Sequence, residues 1–288
     1  MEILFYGIIN SLSLALMALG FTLVYGISRV PNFAHGALYV FAGFITWIVL
    51  NKLGLPYPVA ITLALVCSAL LGALISEVVL VRIRGMEMSE VIATYALGVA
   101  ILEGFRWAGF RGTTYTLPPF LSGSVTLFGV PIDYQRLFVV VLGLGVVAAL
   151  WLFTHLTRMG LALRGIAQDE RAAMMLGIDS DRAASVAMGI GCALAGLAAV
   201  ILLPLGNIVI EAGYNVLIFA IAVCVVGGLG SWGGAIMASF VIGFAQILTV
   251  AYIRPQFQMV VALLAILITL MIKPSGFFGR QKELEERV

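Results

Sequence analysis

The chain has 288 residues, of which 62% are hydrophobic and only 10% charged, with a formal net charge of +2. A soluble domain carries about 25% charged residues, and water does not accommodate this much apolar side chain around a chain of this length. A soluble fold is therefore excluded and a bilayer is required. With no basic stripe, a nucleic-acid partner is excluded as well.

Apolar runs recur from Leu4 to Met271. The first, 4–27, follows Met1-Glu2 with no Lys or Arg before Arg29. Signal peptides begin with positive charge, so this run reads as a first span. Further runs cover 35–50, 57–80, 91–108, 137–156, 184–204, 214–229, 233–253 and 257–272. Each is near the roughly 20 residues a spanning helix needs. The run at 214–229 ends in a glycine-rich segment, 227–234, so eight or nine spans are expected. Stretches such as Leu137–Leu152 are continuously apolar, unlike the alternating strands of a membrane barrel. The predicted fold class is an all-α integral membrane protein, a polytopic helical bundle of 8–9 spans. Residues 1–288 read as one transmembrane domain with membrane lipid around it.

Orientation follows the placement of Lys and Arg. With nine spans and the N-terminus outside, the inner side holds Arg29, Arg82, Arg84, Arg158, Arg164, Arg171, Arg182, Lys273, Arg280, Lys282 and Arg287. The outer side holds Lys52, Arg106, Arg111, Arg136 and Arg254. Eleven against five predicts an outside N-terminus and a cytoplasmic C-terminus. The outer loop, about 109–135, contains Tyr115, Leu117, Phe120 and Leu121 and is expected to lie at the interface.

The inner loop, about 157–183, carries the most information. Asp169 is placed to cap a helix and Glu170 sits in its first turn, both suited to the positive end of the helix dipole. Gly177 fits the position just past the end. The helix between them is about two turns long and too short to cross a bilayer. Ala172 and Ala173 allow close approach, Met174, Met175 and Leu176 add apolar surface, and Asp179-Ser180 reads as the cap of the next span. On spacing alone, a linker helix packed on its own protein and a docking helix for a partner stand equally.

At Pro31-Asn32-Phe33-Ala34-His35-Gly36, Pro31 disfavours helix at Val30 and Asn32 can cap the next span. Asn32, Phe33 and His35 are candidate pathway residues, although a hydrogen-bonded histidine at a helix entry is the favoured reading of His35. Gly227, Gly228 and Gly230 form either a break lining the pathway or a tight turn. Glu103 and Arg106, spaced i, i+3, read as a structural pair. Cys67, Cys192 and Cys224 read as small packing residues. No metal site is expected, since His35 and His155 are the only histidines. No phosphate-binding loop occurs and no catalytic constellation stands out.

The loop sequence GLALRGIAQDERAAMMLGID resembles the coupling segment of permeases of the high-affinity branched-chain amino acid importer family. Three more stretches agree in order: GFTLVYGISRVPNFAHGALYVFAG (Gly20–Gly43), VVGGLGSWGGAIMASFVIGFAQ (Val225–Gln246) and KPSGFFGR (Lys273–Arg280). In the last, Lys273 and Phe277 stand where the family usually has Arg and Leu. The resemblance implies a non-enzymatic bacterial inner-membrane subunit of an ATP-driven importer. Its partners would be a second related permease, two cytoplasmic ATP-binding subunits that hold ATP and Mg, and a periplasmic substrate-binding protein. This chain itself would bind no cofactor. It assigns ATPase coupling to Arg164, Gln168, Asp169, Glu170, Arg171, Ala172, Ala173, Met174, Leu176 and Gly177. The implied substrate is a branched-chain (hydrophobic) amino acid; urea, short amides or aromatic acids are the alternatives within the class. An ion-coupled secondary transporter using Glu103, or a purely structural membrane subunit, are the rivals outside it.

Overall fold

The computed structural model describes residues 1–110, 112, 115–127 and 129–279. Arg111, Arg280, Lys282 and Arg287, counted above for orientation, lie outside the described residues. The described chain forms α1 (Glu2–Ser28), α2 (His35–Asn51), α3 (Tyr57–Val78), α4 (Glu87–Trp107), α5 (Tyr134–Leu156), α6 (Arg158–Gln168), α7 (Glu170–Met175), α8 (Ser180–Leu202), α9 (Ala212–Gly227), α10 (Trp232–Tyr252) and α11 (Gln258–Ile272). Hydrocarbon offers the backbone no partner, so apolar runs of this length close their hydrogen bonds internally as helices. Among the described residues, seven helical segments are long and apolar enough to cross a membrane: α1, α3, α4, α5, α8, α10, and α11 taken together with the helical turn Pro255–Phe257 that leads into it, 18 residues in all. The other two apolar segments, α2 and α9, have 17 and 16 residues. At the standard rise that is about 25 Å, short of the roughly 30 Å hydrocarbon core.

Two crossings set the architecture. α1 and α8 form the interior axis, and most of each is buried. They meet at Gly20 and Gly191, where a Cβ on Gly20 would collide with the Gly191 carbonyl oxygen. α2 and α9 meet in the same way at Gly36 and Gly213. Helices in lipid gain little from hydrophobic burial against each other, so close backbone approach through small residues supplies the packing. α2, α3 and α10 pack around the axis, and α9 bridges α1 to α10 and α11. A polar tie adds to it. Asn10 donates to Gln246 Oε1 (3.0 Å) and to the Gly243 carbonyl (3.1 Å), and Gln246 donates to the Gln258 carbonyl (3.1 Å). Cys192 and Cys224 are buried among apolar neighbours and Cys67 is half-buried.

The outer-loop region departs from the all-helical expectation. β1 (Ser124–Leu127) and β2 (Val130–Asp133) pair antiparallel, with Ser124 opposite Asp133. Val130 and Ile132 point inward against Ile9 while Pro131 and Asp133 point out. That period-2 pattern spans only four residues, too few to stand out in the sequence. Tyr115 joins an aromatic cluster with Phe44, Trp47 and Phe110, and Phe120 packs on Tyr57 and Phe138. Ile208 donates to the Tyr115 carbonyl (2.8 Å), which stitches this loop to the α8–α9 connection.

Gly36→Val tests the second crossing. The new side chain would meet the Gly213 carbonyl oxygen, and overpacking of this kind costs about 1–3 kcal/mol. The thermal midpoint of the detergent-solubilised protein should fall. Gly145→Ala, in α5 where nothing lies within 4 Å, should leave it level or raise it slightly. Equal midpoints for the two variants would contradict the crossing.

Candidate functional site

The segment between α5 and α8 is a two-helix arm, not a loop with one helix as the sequence predicts. The added helix is α6. The Thr157 side chain accepts a hydrogen bond from Gly160 N (3.0 Å) and caps it. Gly160 lies against the Phe153 carbonyl, which lets the chain turn sharply out of α5. Leu163 and Ile166 face the bundle and are buried. The signal was present in Thr157, in the small residue three places on and in the i, i+3 apolar pair.

The second helix, α7, is six residues, about 9 Å long. Asp169 Oδ1 accepts from Ala172 N (3.0 Å) at its start. At its end Gly177 has φ 84°. Gly177 N donates to the Met174 carbonyl (2.9 Å) and Ile178 N to the Ala173 carbonyl (3.2 Å). These two bonds define a Schellman closure, with Ile178 and Ala173 in one apolar cluster. Asp179 then caps α8, accepting from Asp181 N and Arg182 N, both at 3.1 Å. The small pair divides. Ala172 is exposed, whereas Ala173 is buried against its own bundle, so the close approach Ala173 permits is internal. The outward surface is made by Met174, Met175 and Leu176, the last two 88% and 83% exposed.

One residue that sequence reasoning counted only for orientation holds this arm. Arg84, in the α3–α4 connection, forms ion pairs with Glu170 and Asp181 and donates to Ser180 Oγ (2.7 Å). Ser180 in turn donates to Glu170. The first turns of α7 and α8 are thus tied to the α3–α4 connection. No local pattern links Arg84 to residues more than 80 positions away, so nothing in the sequence marks it.

A cavity of about 520 Å³ opens beside the arm. It brings together Arg164 and Gln168 from α6, Gly230 from the α9–α10 turn, Arg29 from the end of α1, and Phe278 and Gly279. Each of the four stretches that carry the family resemblance contributes to its wall. The glycine segment is a tight turn, with α9 ending at Gly227, φ 101° at Gly228, and Ser231 capping α10 by accepting from Gly234 N (3.2 Å). The chain after α11 folds back onto it. Phe277 N donates to the Val226 carbonyl and Phe278 N to the Gly227 carbonyl, both at 3.0 Å. Two carbonyls that the end of α9 leaves open are thereby satisfied.

The other candidate pathway residues sit elsewhere. Asn32 is buried, accepting from Ala34 N (3.0 Å) and reaching Met188 Sδ (3.3 Å). His35 is fully buried; its Nε2 lies 2.8 Å from the Met17 carbonyl and its ring packs edge-on to Phe21. Phe33 is half-buried, and its N–H donates to Thr94 Oγ1 (3.2 Å). None of the three lines the cavity with Gly230. Near the other end of α4, Arg106 bridges Glu103 and Glu211, the latter at 2.9 Å, so the predicted pair has a third member. Among the described residues no group of three or more His, Cys, Asp or Glu is placed to hold a metal.

Helices of membrane-crossing length around a small-residue axis, with a capped arm between two of them, define a multi-pass membrane protein. Residues 3–270 match the family model described as branched-chain amino acid transport system / permease component. The chain belongs to that family. It is 27% identical over 301 residues to the high-affinity branched-chain amino acid transport system permease protein LivH of Salmonella typhimurium, covering 96% of this chain and 94% of that protein. It is 29% identical over 280 residues to the corresponding protein BraD of Pseudomonas aeruginosa, covering 92% and 91%. In fold it is similar to PsaBC from Streptococcus pneumoniae in complex with Fab, with a TM-score of 0.53 and 16% identity over 100% of this chain and 96% of that one.

The Arg84 tie gives a direct test. Partly exposed ion pairs contribute up to about 1 kcal/mol. Arg84→Ala should therefore speed amide hydrogen exchange at 170–176 by roughly fivefold, with Arg84→Lys intermediate and exchange in α1 unchanged. Equal exchange at 170–176 in all three proteins would show that Arg84 does not hold the arm.

Proposed function

We propose that this chain is one of two related permease subunits of an ATP-driven bacterial importer. It would form the translocation pathway for branched-chain, hydrophobic amino acids by alternating access. The family supports a transport role, and the names of LivH and BraD support the substrate class. In this reading residues 1–288 act as one transmembrane domain. α2 and α9 count as spans because neighbouring helices enclose them, giving nine, with the N-terminus outside and the C-terminus cytoplasmic. Two cytoplasmic ATP-binding subunits hold ATP and Mg, and a periplasmic binding protein delivers substrate.

The observation that carries the reading is the construction of α7. It is too short to cross a bilayer, closed at both ends, and anchored on one side by Ala173 and by Arg84 through Glu170. Its other side leaves Met175 and Leu176 in the open. A helix held this way moves with its flanking spans and presents an apolar contact to an ATPase. Asp169, Glu170 and Gly177 shape that helix, Arg171, Ala172, Met174 and Leu176 supply its outer face, and Arg164 and Gln168 precede it on α6. Asn32, Phe33, His35, Gly227, Gly228 and Gly230 act by packing the spans that line the pathway.

Met175→Asp and Leu176→Asp test the contact, because both side chains are exposed in the isolated chain and the changes leave its own packing intact. Losing an interface anchor costs about 2 kcal/mol or more, roughly thirtyfold in affinity. Both variants should reach the membrane at normal levels, lose the co-purifying ATPase and lose ATP-dependent leucine uptake in vesicles. Normal association and uptake in both variants would remove α7 as the coupling helix. Uptake driven by an ion gradient without ATP would favour a secondary transporter instead.

A further inference from the structure

The two short helices begin at one place inside the bundle, where Gly36 of α2 meets Gly213 of α9. That place is deep. The Phe33 N–H, just before α2, donates to Thr94 Oγ1 (3.2 Å), which lies about 10 Å into α4 at the standard helical rise. Gly98, near the middle of α4, lies against Ala34 and Ala37. A groove opens there between Phe33, Tyr95, Val99 and Leu102 on one side and Tyr214 and Leu217 of α9 on the other. Its volume is about 10 Å³, room for one group the size of a methyl. It is therefore one face of a site and not a closed pocket.

Polar groups stand uncovered around this groove. Tyr95 is 50% exposed. Asn215, next to Tyr214 in the first turn of α9, is the one residue of that helix left exposed among the described residues. The side chains of Tyr95, Tyr214 and Asn215 have no hydrogen-bond partner among the described residues. Hydrocarbon offers none at this depth, and an amide or hydroxyl stranded in it is costly. By contrast, the uncovered residues at mid-length of α3, α10 and α11 include Leu70, Val241 and Leu267. Polar groups inside the span region face a cavity or pathway and not lipid. A small molecule with one polar end and one branched apolar end fits both halves of this face. We propose that it is the substrate-contacting wall of the translocation pathway. The aliphatic side chain of a branched-chain amino acid passes over Val99, Leu102 and Leu217, and its polar end passes Tyr95, Tyr214 and Asn215. The assignment rests on the importer reading, in which the second permease supplies the facing wall.

Single cysteines in membrane vesicles that hold the whole importer test this with a small charged thiol reagent, after Cys67, Cys192 and Cys224 are replaced. Asn215→Cys and Tyr95→Cys should react about a hundredfold faster than Leu70→Cys, the factor set by the penalty on charge in hydrocarbon. Leucine, supplied with ATP and the binding protein, should slow the reaction at 215 and 95. Asn215→Leu keeps the bulk and loses the amide, so leucine uptake should fall about tenfold while the thermal midpoint stays level or rises. Lost packing would lower both. Tyr95→Phe removes only a hydroxyl; it should also lower uptake, and it decides the matter if Asn215→Leu fails to assemble. Reaction of Asn215→Cys no faster than that of Leu70→Cys places the face against lipid or a dry helix contact and overturns the proposal. Fast reaction that leucine leaves unchanged, with normal uptake in Asn215→Leu and Tyr95→Phe, marks a wet face that substrate does not touch and also overturns it. ATP-driven leucine uptake by the unaltered protein is measured in the same vesicles. Its absence defeats the importer reading, whereas the comparison with Leu70→Cys is read without transport. Normal uptake together with either overturning result defeats this assignment alone.

Discussion

The arrangement depends on backbone meeting backbone where α1 crosses α8. At Gly20 and Gly191 no side chain separates the two helices. In lipid the hydrophobic effect does not press helices together, so their separation is set by what the contact surface allows. With α1 and α8 locked side by side, α2 and α3 can pack on α8, while α9 and α10 pack on α1. The same device at Gly36 and Gly213 fixes α2 against α9. Two short helices are thereby held within the bundle, and α4, α5 and α11 are left with broad apolar faces uncovered.

One consequence appears where α1 ends. Its last turn, the arm, the glycine turn and the chain after α11 converge on one cavity. Each approaches by a different local device: Thr157 and Gly160 turn α6 out of α5, Gly228 adopts positive φ, and Phe277 and Phe278 cap the carbonyls of α9. The four family-like stretches, scattered over more than 250 residues, are thus neighbours in space. The arm belongs to this junction through Leu163, Ile166 and Ala173, while its outer face stays free to meet another surface.

Much of this was legible in the sequence because it is local. The apolar runs gave the helices to within a few residues, and Asp169, Gly177 and Asp179 each do at a helix end what their side chain or missing side chain dictates. Three features were not legible. The β-hairpin at 124–133 is too short for its alternation to register against an apolar background. The inward turn of Ala173 beside the exposed Ala172 depends on how α7 is rotated, which six residues do not reveal. Arg84 acts on Glu170 and Asp181 across a large separation in the chain, and only the folded bundle makes them neighbours. Among the candidate residues, Asn32 and His35 are committed to hydrogen bonds in the interior, a fact that depends on tertiary contacts with Met188 and Met17.

Coupling through the arm requires it to face the cytoplasm, the side that the distribution of Lys and Arg favours. The side can be measured with a membrane-impermeant maleimide on single cysteines, introduced after Cys67, Cys192 and Cys224 are replaced. Met175 and Ser122 suit the purpose because both are exposed and they lie in the arm and the outer loop respectively. Ser122→Cys should label in right-side-out membranes and Met175→Cys only in inverted ones. Labelling of Met175→Cys from outside, with Ser122→Cys reached only from the cytoplasm, would contradict both the orientation and the coupling role.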